Sequence, residues 1–174
     1  MARLQGLSRP AIPGASATFN DVVAQVRLFV RDFAELNRLV DGEESSDMMI
    51  AFAVMGALSE FSSRPPPLGI YTVEDFISRG WAHPLLTGSV AHLLAQVGIL
   101  QTRNHLPFSD GGLNVAVSDK TPLLQSWIGI MRSQWDPWIR DTKIAENISQ
   151  MMGSGVGAHS ELLLIHGFSD ETAG

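Results

Sequence analysis

Residues 121–138 read TPLLQSWIGIMRSQWDPW, and their large apolar side chains recur at alternating steps of four and three residues. The recurring residues are Leu124, Ile128, Met131, Trp135 and Trp138. This spacing is typical of one face of an α-helix, and Thr121-Pro122 suits the N-cap and first helical position. The segment therefore predicts a long helix that packs against other helices, and a mainly α fold built as a helical bundle.

Two later features interrupt this helix. Pro137 lacks a backbone donor, so it predicts either a kink or the end of one helix and the start of the next. The apolar series resumes through Ile144, Ile148 and Met151, and the glycine-rich run at 153–157 is predicted to end the helical part.

Residues 153–174 are predicted to form an extended C-terminal docking tail. Their one apolar run, Leu162-Leu163-Leu164-Ile165, has the length of a short β-strand. No other segment offers this run an evident partner strand, so we expect it to gain one from another protein.

Three further long helices and one short helix are predicted before this one. Thr18 is the expected N-cap of the first, which is predicted to stop at Asp41-Gly42. The others are expected at about 46–61, 73–79 and 84–103. Ser45 or Ser46 is the expected N-cap of the second helix, and Thr72 with Asp75 predicts a capping-box start for the short one. Gly88 and Gly98 lie inside the last of these, which predicts that a neighbouring helix approaches closely there.

Residues 104–119 lack the helical spacing of apolar residues seen in the segments around them. Ser109-Asp110-Gly111-Gly112 predicts a turn, and Leu113, Val115 and Val117 alternate after it. The pattern favours a short extended or hairpin segment and fits a long loop almost as well.

The chain of 174 residues fits one domain. We assign the helical bundle to 18–152, after an N-terminal arm at 1–17 that is either disordered or ordered only on contact. Hydrophobic residues make up 45% and charged residues 17%, against about 25% charged in typical domains. The surface is therefore either rich in neutral polar groups or partly covered by another protein.

Charge and composition exclude several classes of protein. Twelve basic against eighteen acidic residues give a net charge of −6, which argues against broad binding of nucleic acid. The absence of cysteine excludes disulfides and thiolate zinc sites. The most apolar stretch, Met48–Leu58, is about half the length of a bilayer span, and no signal-peptide run occurs near the N-terminus. We therefore expect a soluble protein.

The sequence offers no catalytic, cofactor-binding or metal-binding motif. The five histidines lack the spacing of a helical metal site. The glycine-rich run follows a helix, whereas phosphate-binding loops follow a strand. Acidic clusters such as Glu43, Glu44 and Asp47 lie at helix starts, where they stabilise the helix dipole. We therefore predict that the protein is not an enzyme and needs no cofactor.

Three stretches, in order, resemble a known family. Phe61-Ser62-Ser63-Arg64-Pro65-Pro66 is similar to the helix exit of a tailed-bacteriophage neck protein family. Arg103-Asn104 followed by Phe108-Ser109-Asp110-Gly111-Gly112 resembles its "RN…(Y/F)xDGG" segment. Lys143-Ile144-Ala145-Glu146-Asn147 resembles the "K…N" end of its final long helix. The resemblance covers residues 44–150.

This family consists of head-to-tail adaptors, also called connectors. The resemblance implies a structural virion protein of the neck, made in the host cytoplasm and without catalytic activity. It implies a homo-oligomeric ring, dodecameric by analogy, that joins the portal protein to tail or neck proteins. DNA would pass through the ring without sequence-specific binding, and no membrane would be involved.

The predicted partner-contacting residues come from the tail, the tryptophan pair and the second motif. They are Leu162, Leu163, Leu164, Ile165, Phe168, Trp135, Trp138, Phe108 and Asp110. For the two tryptophans a place in the core is an equally good interpretation. The alternative function is a soluble helical protein-binding module or regulator without catalytic activity. A third hypothesis, a hydrolase or metal enzyme, requires a pocket with several perturbed titratable groups.

Overall fold

The computed structural model describes residues 12–32, 44–104, 109–110, 113–114 and 121–166, with side chains for 12–32, 44–100 and 121–152. Its helices and strands are α1 (Ala17–Val30), α2 (Asp47–Ser63), α3 (Val73–Ser78), α4 (Ala82–Asn104), β1 (Ser109–Asp110), β2 (Leu113–Asn114) and α5 (Thr121–His166). The predicted mainly α class is confirmed.

Helix α4 lies at the centre of the bundle and contacts α1, α2, α3 and α5. Its side chains Leu85, Val90 and Leu93 are buried in the core. By length and composition alone, Ala82–Leu100 would also suffice to cross a membrane, the one such stretch in the described part of the chain. Contacts with the neighbouring helices bury 39% of this stretch.

Helix α1 starts earlier and ends earlier than predicted. Its N-cap is Ser16, whose hydroxyl accepts a first-turn amide, and not Thr18. It ends at Val30, where Arg31 takes the left-handed conformation with φ 57°. The predicted end at Asp41-Gly42 was therefore wrong. The intervening part of the expected helix lies outside the described residues.

Polar contacts between the end of α1 and the start of α2 account for the early end. The Asp32 carboxylate accepts the amides of Glu44 at 2.8 Å and Ser45 at 2.6 Å. Arg27 donates to the Ser45 carbonyl at 2.8 Å and to the Asp47 carboxylate at 2.7 Å. Because Arg27 and Asp32 are buried, these charge-assisted bonds outweigh the local helical pattern.

Helices α2 and α3 agree with the sequence. Ser46 caps α2, and the reciprocal capping box of Thr72 and Asp75 opens α3. Gly80, at φ 76°, follows the end of α3, a conformation that glycine adopts without steric cost. Pro65-Pro66-Pro67 forms the predicted non-helical exit from α2.

Helix α5 differs from the prediction at two places. It continues through Pro137, which lies inside the helix and neither ends it nor starts another. It also continues through 153–157 to His166, so the predicted helix end and the predicted strand at Leu162–Ile165 were both wrong. Glycine disfavours a helix by only about 1 kcal/mol per residue, and the alanine, methionine and leucine residues around these glycines favour it.

The close approach predicted at Gly88 is confirmed. A Cβ atom there would lie 2.7 Å from the indole of Trp135, whereas at Gly98 the nearest atom would be Leu124 Cδ1 at 4.0 Å. Glycine at 88 thus lets α5 insert its largest side chain against the α4 backbone.

The 104–119 segment contains the short hairpin pairing. Strands β1 and β2 are antiparallel, with Ser109 opposite Asn114 and Asp110 opposite Leu113. Of the two interpretations of this segment, the extended pairing is therefore the one observed, and Gly111-Gly112 between the strands lies outside the described residues.

Candidate functional site

Six aromatic rings pack together where α2, α3, α4 and α5 meet, and we call them the aromatic cluster. They are Phe61, Tyr71, Phe76, Trp81, Trp135 and Trp138. Phe61 is the common member, because its ring lies within 6.5 Å of each of the other five. Trp135 and Trp138 stack with centroids 5.3 Å apart and planes 18° apart. Such pairs add about 1 kcal/mol each beyond burial.

Lys143 lies fully buried beside this cluster, with 0% of its side chain exposed. Its ammonium donates to the Ser62 and Pro66 carbonyls, each at 3.4 Å. It also lies 4.8 Å from the Phe61 ring centroid and 5.3 Å from that of Tyr71. No carboxylate among the described residues pairs with it, so the cation is held by carbonyl dipoles and ring faces.

A second charged group, Glu60, anchors α2 to α5. Arg132 donates to both of its carboxylate oxygens at 2.6 and 2.7 Å, and Arg64 donates at 2.6 Å. The Trp135 indole donates at 3.1 Å, and His92 Nε2 lies 3.0 Å away. We call Glu60 and these partners the Glu60 network; it also includes Asp136, which lies 2.7 Å from Arg64.

Burial and pairing act in opposite directions on these charges. Burial alone would raise the pKa of Glu60, but the hydrogen bonds from Arg64, Arg132 and Trp135 outweigh it and lower the pKa to about 2. Burial lowers the pKa of Lys143 and raises the pKa of Tyr71. Glu60 is thus stabilised as an anion, whereas the ammonium form of Lys143 is penalised.

The structure places the predicted partner-contacting residues in three groups. Trp135 is 1% exposed and Trp138 packs against the core, so the core interpretation holds for both. Leu162–Ile165 has helical backbone at the end of α5, and Asp110 lies in β1; their side chains are outside the described set. Phe108 and Phe168 also lie outside the described residues.

Exposed apolar side chains on the described residues include groups on α2 and α5. On α2 they comprise Met48, Phe52 and Met55; near the start of α5, Leu123, Trp127 and Ile130; and farther along α5, Ile144, Ile148, Met151 and Met152. We call the last group the α5 stripe. Steps of three and four residues place its members on one face of the helix.

The α2 surface forms one wall of a groove of about 800 Å³. Residues 12–16, Phe19, Glu74 and Gln96 also line it. We call it the α2 groove. Its lining is mostly methionine, phenylalanine and small residues, which suits an apolar chain segment better than a polar metabolite.

The site residues that sequence reasoning missed are those of the Glu60 network. One signal was available: Glu60 is a lone charge near the end of an otherwise apolar helix, which predicts a buried ion pair. Its partner Arg64 follows four residues later, which is the spacing of a helical ion pair. Arg132 is 72 residues away and is not identifiable from spacing.

The aromatic cluster, Lys143 and the Glu60 network join helices α2 and α5. Within the described ranges no three histidine or acidic side chains come together to hold a metal ion. Every buried side-chain nitrogen and oxygen in the same ranges has a hydrogen-bond partner, which leaves no polar group directed at a missing ligand.

Comparison with protein-family models, with curated proteins and with solved structures finds no match to this chain.

Proposed function

We propose that the protein is a structural component of the tailed-phage neck, an adaptor that forms a ring between portal and tail and lines the DNA channel. The observation that carries the proposal is the α5 stripe, which lies on a helix longer than any other described helix. Helix α5 has 46 residues and α4 has 23, which correspond to about 69 and 35 Å. An apolar face on such a helix suits contacts with neighbouring subunits.

The motif resemblance supports the same proposal. The first motif contains Phe61, Ser62 and Pro66, and the third begins at Lys143, whose ammonium contacts all three. Two stretches far apart in sequence therefore form one junction between α2 and α5. They are the kind of residues that would mark a shared fold rather than a shared reaction.

Charge is consistent with a channel wall. The protein carries a net charge of −6, and one of its two lysines, Lys143, is fully buried. Duplex DNA binds through clustered basic side chains. A ring with few of them would let DNA slide through without holding it.

The C-terminal tail keeps its proposed docking role in a changed form. Because the backbone is helical to His166, the apolar run Leu162–Ile165 would dock as part of a helix and not as an added strand. Removing residues 158–174 should leave the bundle folded, by circular dichroism, and abolish capture by purified portal protein. A truncated chain that binds portal as well as the full chain contradicts the docking role.

The decisive experiment tests incorporation into particles. Ile148→Asp places a charge in the α5 stripe, and Gln150→Asp places the same charge on another exposed face of that helix. We expect imaged particles to contain a ring of the wild-type and Gln150→Asp proteins, and Ile148→Asp to be lost from particles. Particles that lack the wild-type protein overturn the proposal.

A soluble binding module is the second candidate, and the α2 groove favours it because it has the form of a peptide-binding cleft. The two functions differ in stoichiometry: a module binds one partner, whereas an adaptor occupies every position of a ring. Mass measurement of the complex captured from particle-producing cells distinguishes them.

A further inference from the structure

The α2 groove carries an inference that is independent of the neck role. Its lining includes Met48, Phe52 and Met55 of α2 and Phe19 of α1. Phe52 is 67% exposed, so a large aromatic side chain faces open space. Burial of such large apolar side chains is favourable, so the groove offers a surface for a short segment of chain.

The chain itself enters the structure at this groove. Ile12 and Ala15 close a turn through a hydrogen bond of 3.1 Å, with Pro13 and the positive-φ Gly14 between them. This is the sequence of a type II turn, which reverses the chain. The Ile12 amide is fixed by Asn20 at 3.2 Å, so the described chain begins at the lining of the groove.

The charge of the groove lining favours one segment of the chain over the others. Glu74 is the one charged residue of the lining; it accepts the Ser16 hydroxyl at 2.5 Å, and no cation among the described residues pairs with it. Residues 1–11 contain two arginines and no acid, together with Leu4 and Leu7. Segments 33–43 and 167–174 each hold more acidic than basic residues, so Glu74 disfavours both.

The length is also sufficient. Met48 and Met55 are seven residues apart on α2, which is about 10 Å along the helix. Leu7 precedes Ile12 by five residues and Leu4 by eight, so extended chain would carry them up to about 17 and 27 Å. Both leucines therefore reach any part of this wall.

We propose that residues 1–11 of the same chain dock in the α2 groove. Leu4 and Leu7 cover the Met48, Phe52 and Met55 wall, and Arg3 or Arg9 pairs with Glu74.

The absence of cysteine allows a direct test on the full chain. Ala2→Cys carries a nitroxide spin label, and methionine methyl groups are observed by NMR. Docking predicts strong broadening of the Met48 and Met55 methyl signals and little effect on Met151 and Met152. Equal broadening at all four methionines, or none at Met48 and Met55, overturns the proposal.

Two further measurements identify the contacts and the source of the segment. Replacing Arg3 and Arg9 by glutamate should lower the equilibrium constant for docking by about two- to fivefold, and the broadening should weaken accordingly. The control substitution Gln5→Glu should have a smaller effect. Labelled protein mixed with spin-label-free, methyl-observed protein should show no broadening. Broadening in that mixture means that the segment comes from a second copy, which refutes docking within one chain.

Discussion

Replacing Glu60 by glutamine removes one charge from the Glu60 network while keeping the size of the side chain. In the wild type both carboxylate oxygens accept N–H groups, from Arg64 and Arg132 on one oxygen and from Arg132 and Trp135 on the other. A glutamine has one acceptor oxygen, so its NH₂ group must face an arginine donor in either orientation. Arg64 keeps Asp136 as a partner, whereas Arg132 loses its closest one.

The magnitude follows from the charge and its surroundings. A tenfold change in proton affinity is about 1.4 kcal/mol, so the fall in the pKa of Glu60 from 4.5 to about 2 corresponds to roughly 3 kcal/mol. The Arg64 and Arg132 side chains are 37% and 30% exposed, and water screens part of this energy. We therefore expect Glu60→Gln to lower the free energy of unfolding by about 2 kcal/mol at pH 7.

The same pKa fixes the pH dependence. Because the pKa of Glu60 is lower in the folded state, its contribution is fully present above pH 4.5 and is lost as the pH falls to about 2. Other carboxyl groups also titrate in this range, since hydrogen bonds lower the pKa values of Glu74 and Asp75. The difference between wild type and variant isolates Glu60, and it should shrink as the pH falls.

Urea unfolding followed by circular dichroism and tryptophan fluorescence measures this difference. Glu146→Gln is the matched control, because Glu146 forms a single, more exposed ion pair with Arg79 at 2.5 Å and should lose only about 0.5 kcal/mol. A Glu60→Gln loss no greater than the control, or a difference that stays constant between pH 4.5 and 2, would refute the assigned role of the network.

Three further predictions concern the helices. Gly88→Ala should destabilise by about 1–3 kcal/mol because its Cβ would meet Trp135 at 2.7 Å, whereas Gly129→Ala, with open space around it, should stabilise by up to about 1 kcal/mol; thermal unfolding measures both. The Lys143→Met variant should have a free energy of unfolding at least as large as that of the wild type at pH 7. Its margin over the wild type should shrink as the pH rises toward 10.5, because the lowered pKa of Lys143 makes the wild type more stable as the pH rises. Urea titrations at several pH values check this prediction. Ile148→Asp should keep wild-type stability within about 0.5 kcal/mol in the isolated chain, and a larger loss would show that the α5 stripe is covered.

The sequence predicts the helices that local signals determine. The N-cap of α2 at Ser46 and the capping box at Thr72 and Asp75 satisfy backbone donors within one turn, so neither depends on distant residues. The close approach at Gly88 is likewise predictable, because an unfavourable glycine inside a long helix calls for a packing reason. Its partner, Trp135, is identified only by the structure.

The errors have a common cause in tertiary contacts and weak propensities. Helix α1 stops early because Asp32 binds the amides of Glu44 and Ser45, just before the next helix, and no periodicity reveals such a contact. Helix α5 continues through 153–157 because three glycines weaken a helix without forbidding it. The α2 groove and the Glu60 network join residues far apart in the chain, so spacing along the sequence does not reveal them.

The structure shows where several of the few charged side chains lie. Arg27 and Lys143 are buried, and Arg64 and Arg132 are committed to Glu60, so a third of the twelve basic residues stabilise contacts within the fold. The surface is therefore even poorer in cations than the composition indicates. Mutual repulsion of acidic groups opposes association of such chains, and burial of apolar area must outweigh it. The α5 stripe, together with Leu123, Trp127 and Ile130 nearer the start of the same helix, is exposed apolar surface that association could bury.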